Sequence, residues 1–161
     1  MHRAGRNYRL SARPARALHR TLCRTVSRAL ALHANFRYDA FSSDAIPVHL
    51  LTVEALRIYL KKTADHGLVV FHISDSHFQL WPVVASLVKE VGASARRENY
   101  IPSAEERATG AADSEWVIVA KQDQDLAALD ADRRWLRFVE SEGTWTWTDD
   151  FSNVLSLIHF R

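Results

Sequence analysis

Leu68-Val69-Val70-Phe71-His72-Ile73 is an almost continuously apolar run, rich in β-branched side chains. Such a run reads as a strand buried on both faces, as in a parallel sheet covered by helices. Upstream, Thr52 stands where a hydroxyl can cap a first turn, and apolar residues recur at helical spacing through Val53-Glu54-Ala55-Leu56-Arg57-Ile58-Tyr59-Leu60-Lys61-Lys62 until His66-Gly67. A helix leading into a doubly buried strand is the signature of an α/β domain.

Downstream the same alternation continues. Asp75 or Ser76 is placed to open a second helix, whose apolar face runs from Phe78 through Leu80, Val83, Val84, Leu87, Val88 and Val91 to a stop at Gly92. Pro82 falls near its first turns, where a missing N–H costs least. Residues 93–100 read as a polar strand, 101–113 as a loop around Pro102 and Gly110, and Glu115–Ala120 as another strand. Asp123–Arg137 reads as a helix with Leu126, Leu129 and Leu136 turned inward. The pattern is that of the second half of an open doubly wound sheet, in which ligands lie beyond the carboxyl ends of the strands.

A chain of 161 residues, 47% hydrophobic, is the size of one domain. Its net charge of +2 conceals a split. Residues 1–38 hold nine arginines and no acid, whereas residues 39–161 hold all nineteen Asp and Glu against twelve Lys and Arg. The acidic larger part argues against a DNA- or RNA-binding core. Cys23 is the single cysteine, which excludes an intramolecular disulfide and a thiolate metal cluster and suits a reducing, cytoplasmic setting. No run approaches the roughly 18–20 apolar residues that span a bilayer.

In the basic segment, 1–37, Arg9, Arg13, Arg16, Arg20, Arg24 and Arg28 collect on one face of a helix, with Leu18, Leu22, Val26 and Leu30 opposite. Such a helix can lie on an anionic membrane, bind RNA, or act as an organelle-targeting presequence. Two plainer readings stand beside these. The leucine stripe can simply dock on the rest of the chain, or the tract can be a spurious leader from a misassigned start.

The chemistry-bearing stretch is Asp39-Ala40-Phe41-Ser42-Ser43-Asp44-Ala45-Ile46-Pro47-Val48-His49-Leu50-Leu51-Thr52, an acidic loop running into the first helix. Together with Gly-Leu-Val-Val-Phe-His-Ile-Ser at 67–74 and Trp-Thr-Asp-Asp-Phe-Ser-Asn at 147–153, it resembles the spermidine synthase-like, or polyamine-biosynthesis, domain of the class I S-adenosylmethionine-dependent methyltransferase fold. The likeness covers about residues 38–160. It implies a Rossmann-like sheet of seven strands, the last two antiparallel, with residues 38–161 as its C-terminal part. The implied reaction is transfer of an aminopropyl group from decarboxylated S-adenosylmethionine to a diamine such as putrescine.

An amine with a pKa near 10, as for lysine, is mostly protonated at neutral pH, so a carboxylate must hold the cation and help take its proton before nitrogen can attack. By the resemblance Asp39 is that acceptor and Asp44 an ion-pair partner for the substrate amine. His72, near the strand end, is a candidate pocket wall; a buried, hydrogen-bonded histidine is the plainer alternative. Ser42-Ser43-Asp44 equally suits turn and capping chemistry.

The family's glycine-rich cofactor turn has no counterpart here, since Gly5 is the only glycine before Gly67. The segment before Asp39, His33-Ala34-Asn35-Phe36-Arg37-Tyr38, also lacks the apolar strand the family places there, so that strand is expected to be lost or short. No cofactor is therefore expected for this chain alone. The exposed sheet is expected to need the basic helix, a partner chain or a homodimer to cover it. The alternatives are a methyltransferase-like enzyme using ordinary S-adenosylmethionine and a non-enzymatic module with a membrane- or RNA-contacting helix. His49 reads as a helix-entry residue. Asp149 and Asp150 suit either a cation or a helix cap, and Trp135, Trp145 and Trp147 read as packing.

Overall fold

A computed structural model describes the backbone of residues 36–38 and, in full, residues 48–74, 78–137 and 146–153. The protein is mixed α/β. Among the described residues five strands, β1 (Phe36–Tyr38), β2 (Leu68–His72), β3 (Ser94–Tyr100), β4 (Ser114–Ala120) and β5 (Leu136–Arg137), form one sheet in the order β1-β2-β4-β3-β5. β1 runs parallel to β2, and every other pairing is antiparallel. The parallel pair requires a crossover, and α1 (Val53–Lys62) supplies it. The strand ahead of Asp39 is thus present but three residues long.

Alternation along the two central strands explains why both sheet faces are buried. Val69 and Phe71 of β2, with Val117 and Val119 of β4, face a core built with α1 and α2 (Trp81–Glu90). Leu68 and Val70, with Ile118 and Ala120, face a second cluster of Leu126, Leu129 and Trp135. β3 is polar because Ala95 serves the first face, while Arg96 and Glu98 go buried onto the second.

The helix ends follow from local chemistry. Thr52 caps α1, its hydroxyl accepting the Ala55 N–H at 3.2 Å. Thr63 ends it before His66-Gly67, turning extended while its N–H and hydroxyl both donate to the Tyr59 carbonyl. α2 begins at Trp81, after Leu80 and without a side-chain cap, and Pro82 occupies the first turn. The expected caps Asp75 and Ser76 lie outside the described residues, but neither adjoins the first turn. At the other end Gly92 takes φ +68, and the Gly92 and Ala93 N–H groups donate to the Lys89 and Val88 carbonyls, a Schellman closure.

Two expectations are corrected. Residues 101–113 include a short helix, α3 (Ala104–Ala108), begun by a reciprocal capping box between Ser103 and Glu106. Asp123–Arg137 is not one helix: a 3₁₀ turn (Asp123–Leu126) and α4 (Ala127–Asp130) give way to turns and β5. Leu126 and Leu129 are buried as expected, yet Leu136 is exposed, because strand pairing with Arg97 replaces the helical turn that would have carried it inward.

Candidate functional site

In a sheet with parallel neighbours, ligand-binding groups gather beyond the carboxyl ends of the strands. Here the parallel register pairs Tyr38 with Phe71, so β1 and β2 finish side by side. The next residue after Tyr38 is Asp39, and the next after Phe71 is His72. Asp39 and Asp44 lie outside the described residues. His72 closes β2, half-buried, and is the sequence-predicted site residue that the structure places.

Its ring is held on two sides. Trp116, its register partner on β4, stacks on it at 4.2 Å between centroids and 22° between planes. Ser74 Oγ lies 2.7 Å from His72 Nε2 and accepts the Glu115 N–H at 2.7 Å. Ile73 extends the strand, its N–H donating to the Glu115 carbonyl at 2.9 Å. An imidazole fixed between an indole and a hydroxyl can form one wall of a recess and present the rest of its edge.

Beyond Trp116 the same cross-strand row continues to Glu98 of β3. Glu98 is buried, and burial pushes its carboxyl above the ordinary glutamate value, with the Arg134 charge opposing and the Asp132 charge adding. On the other face Arg97 donates from Nε to Glu115 at 2.5 Å, and its guanidinium lies 4.9 Å from the Trp81 ring centroid. Burial pushes the Glu115 carboxyl up, and Arg97 counteracts it.

The described parts of the three stretches singled out in the sequence, residues 48–52, 67–74 and 147–153, converge. Thr52, closing the first, donates its hydroxyl to Asp149 of the third at 2.7 Å; Val53 N–H donates to the Trp147 carbonyl, and Asp149 N–H to Glu54. Trp147 is buried in the same core as Leu51 and as Phe71 and Ile73 of the second stretch. Asp149 is therefore engaged at the N-terminus of α1, where its charge suits the helix dipole. Asp150 is exposed at the tip of the Thr148–Phe151 turn. His49 lies exposed on the 3₁₀ turn Val48–Leu50 that leads into α1.

Trp135 and Trp147 are packing residues, while Trp145 and the basic segment 1–35 lie outside the described residues. Among the described residues, no group of three His, Cys, Asp or Glu is arranged to hold a metal, and no helix is long and apolar enough to cross a membrane.

Ser74, Trp116 and Glu98 escaped the sequence reading. Ser74 was within reach, two residues past His72. The other two depend on the antiparallel register, which strand alternation alone does not set. No protein-family model, no curated protein and no solved structure matches the chain.

Proposed function

We propose that residues 38–161 form the amine-facing part of a spermidine synthase-like domain, of Rossmann-like, class I methyltransferase type, acting in the cytoplasm. The family reaction moves an aminopropyl group from decarboxylated S-adenosylmethionine to a diamine such as putrescine. The observation that carries this reading is the pairing of Tyr38 with Phe71, which finishes two parallel strands together immediately ahead of Asp39 and His72. The antiparallel pairing of β3 with β4, and the packing of the 147–153 stretch against α1, agree with the implied order of elements.

In this reading Asp44 holds the diamine as an ion pair, and the fixed ring of His72 walls the recess. Asp39 accepts a proton from the attacking ammonium, freeing the nitrogen lone pair. Nitrogen then forms a bond to the carbon attached to sulfur, and the C–S electron pair leaves with methylthioadenosine. That step needs the reacting carbon held about 3–3.5 Å from nitrogen. A carboxylate does not hold a sulfonium nucleotide in place, and no glycine-rich turn lies between Gly5 and Gly67. Turnover therefore requires a nucleotide cradle from outside these residues. Among the described residues β1 ends the sheet order, and its outer edge is where further strands, from a partner chain or a second copy, would add.

Isothermal titration of the full chain with putrescine tests the amine half. Saturable binding that weakens with salt and is lost in both Asp39→Asn and Asp44→Asn is expected; equal binding by those variants, or none by the wild type, overturns it. Titration with methylthioadenosine and an aminopropylation assay test the other half. Micromolar nucleotide binding or turnover by the isolated chain overturns the need for an external cradle.

A further inference from the structure

His72 and Ser74 stand two apart on an extended segment, a spacing that puts both side chains on one side of it. Their polar atoms meet, with Ser74 Oγ 2.7 Å from His72 Nε2. Among the described residues, the other contact of that hydroxyl is with the Glu115 N–H, which it accepts at 2.7 Å. Because the Ile73 N–H donates to the Glu115 carbonyl, the ladder between β2 and β4 runs one step past His72 and ends on the Ser74 side chain. The backbone of β4 thus fixes the serine oxygen in place.

A serine hydroxyl has one proton and two lone pairs. The Glu115 N–H, which can only donate, takes one lone pair and leaves the proton to be given. Nε2 of His72 is the acceptor within reach, and it accepts when the ring carries its own proton on Nδ1. One lone pair on Ser74 Oγ is then left to react. The Trp116 indole, stacked at 4.2 Å, restricts the swing of the ring, and both residues of the pair are part-exposed. A hydroxyl within hydrogen-bond reach of a base that a third group orients meets the geometric requirement for an activated nucleophile. A serine that merely ended the ladder would need the Glu115 bond alone.

We propose that Ser74 and His72 form a nucleophile–base pair that takes an acyl group from a small uncharged carboxylic ester, an activity separate from the amine chemistry above. Ser74 Oγ adds to the ester carbonyl carbon as its proton passes to His72 Nε2, and the carbonyl π pair moves onto oxygen. Return of that pair breaks the bond to the leaving alkoxide, which takes the proton from Nε2 and departs as the alcohol. Water then adds to the acyl carbon on Ser74 while His72 takes a proton from it. Collapse releases the carboxylic acid and returns the proton to Ser74 Oγ. The sum is ester and water in, acid and alcohol out. The uncharged substrate follows from the surroundings: the Trp116 indole borders the ring, whereas Arg97 and Glu115 pair with each other on the opposite face of the sheet, and Glu98 is buried one strand further on.

The test is covalent labelling of the full chain with a fluorophosphonate, which reacts with an activated serine oxygen and loses fluoride. Peptide mass spectrometry is expected to place one phosphonyl group per chain on Ser74, and p-nitrophenyl acetate to leave an acetyl group on the same residue. Ser74→Ala should take neither. His72→Gln, whose amide can hydrogen-bond the hydroxyl but does not take its proton, should slow labelling by about 100-fold or more. Imidazole ¹⁵N shifts of the neutral ring should put the His72 proton on Nδ1. A Ser74 that labels no faster than the other serines, labelling undiminished in His72→Gln, or a neutral ring with its proton on Nε2 would overturn the pair. Should His72→Gln not fold, the wild-type labelling site and the ¹⁵N shifts decide alone.

Discussion

Arg96 and Asp130 are joined by a fork of two hydrogen bonds, Nε to Oδ1 at 2.6 Å and Nη2 to Oδ2 at 3.2 Å, that ties the buried centre of β3 to the end of α4. A third bond, Nη1 to Asp123 at 2.8 Å, holds the preceding 3₁₀ turn. Arg96→Met preserves bulk but leaves both carboxylates without their main donor. It is expected to destabilise the fold by about 2–3 kcal/mol, below the cost of breaking a fully buried pair because the acids retain some solvent. Urea denaturation measures it, and a change within about 0.5 kcal/mol, the size of an ordinary surface substitution, would contradict this role.

Acid stability follows from the same pair. The Arg96 hydrogen bond, helped by Arg137 and opposed by partial burial, holds the Asp130 carboxyl down to about 2. A depressed acid contributes stability that is present above the ordinary aspartate value and lost as pH falls toward the folded one. Discounted for solvent screening, the contribution is on the order of 1 kcal/mol. The acid limb of a stability–pH curve between roughly pH 4 and 2 should therefore flatten in Arg96→Met.

Thr52 has two tasks, accepting the Ala55 N–H and donating to Asp149. Thr52→Ala should cost about 1–2 kcal/mol, at the upper end for a cap because a second bond goes with it. Thr52→Ser keeps both and should stay close to wild type. Faster amide exchange at Val53 and Asp149 in Thr52→Ala, and not in Thr52→Ser, would confirm that the cap also docks the 146–153 segment.

Trp147 is almost fully buried against Leu51, Val53 and the face of β2. Trp147→Ala should cost about 3–5 kcal/mol. A loss under about 1 kcal/mol, no more than an average substitution, would mean that this segment is a surface appendage and not part of the core.

At Gly92 the φ of +68 is the whole constraint, because a Cβ there would meet nothing within 4 Å. Gly92→Ala should cost about 1 kcal/mol from left-handed backbone alone, and Gly92→Asn less. Thermal melts of the two variants separate a backbone penalty, which Asn eases, from a steric one, which Asn would worsen.

Much of the architecture was legible because it rests on local patterns. The β2 run, the Thr52 cap and the periodicity of α1 are each written within about ten residues, and each appears where the pattern puts it, whereas α2 starts at Trp81, later than Asp75 or Ser76 as its opening residue predicts. The capping box at Ser103 is equally local, but Pro102 and Gly110 flank it and give the segment the composition of a loop. The 123–137 region deceived for a different reason. Its leucines have helical spacing, but Asp123 and Asp130 are drawn to Arg96 and Arg137, and β5 adds to the edge of β3. Competition from a strand 27 to 41 residues away leaves no trace in helical periodicity.

The sequence by itself determined which segments are apolar on one face or two, where helices can start, and which stretches carry acids and a histidine, since these depend on covalent order and near-neighbour sterics. Only the tertiary structure decided that His72, Trp116 and Glu98 lie in one row, that Arg96 is buried but paired, and that Asp149 accepts the hydroxyl of the Thr52 cap. Those relations come from the register of strands that pair across large chain separations. Register is set by the collective burial of both sheet faces, a property that no single segment contains.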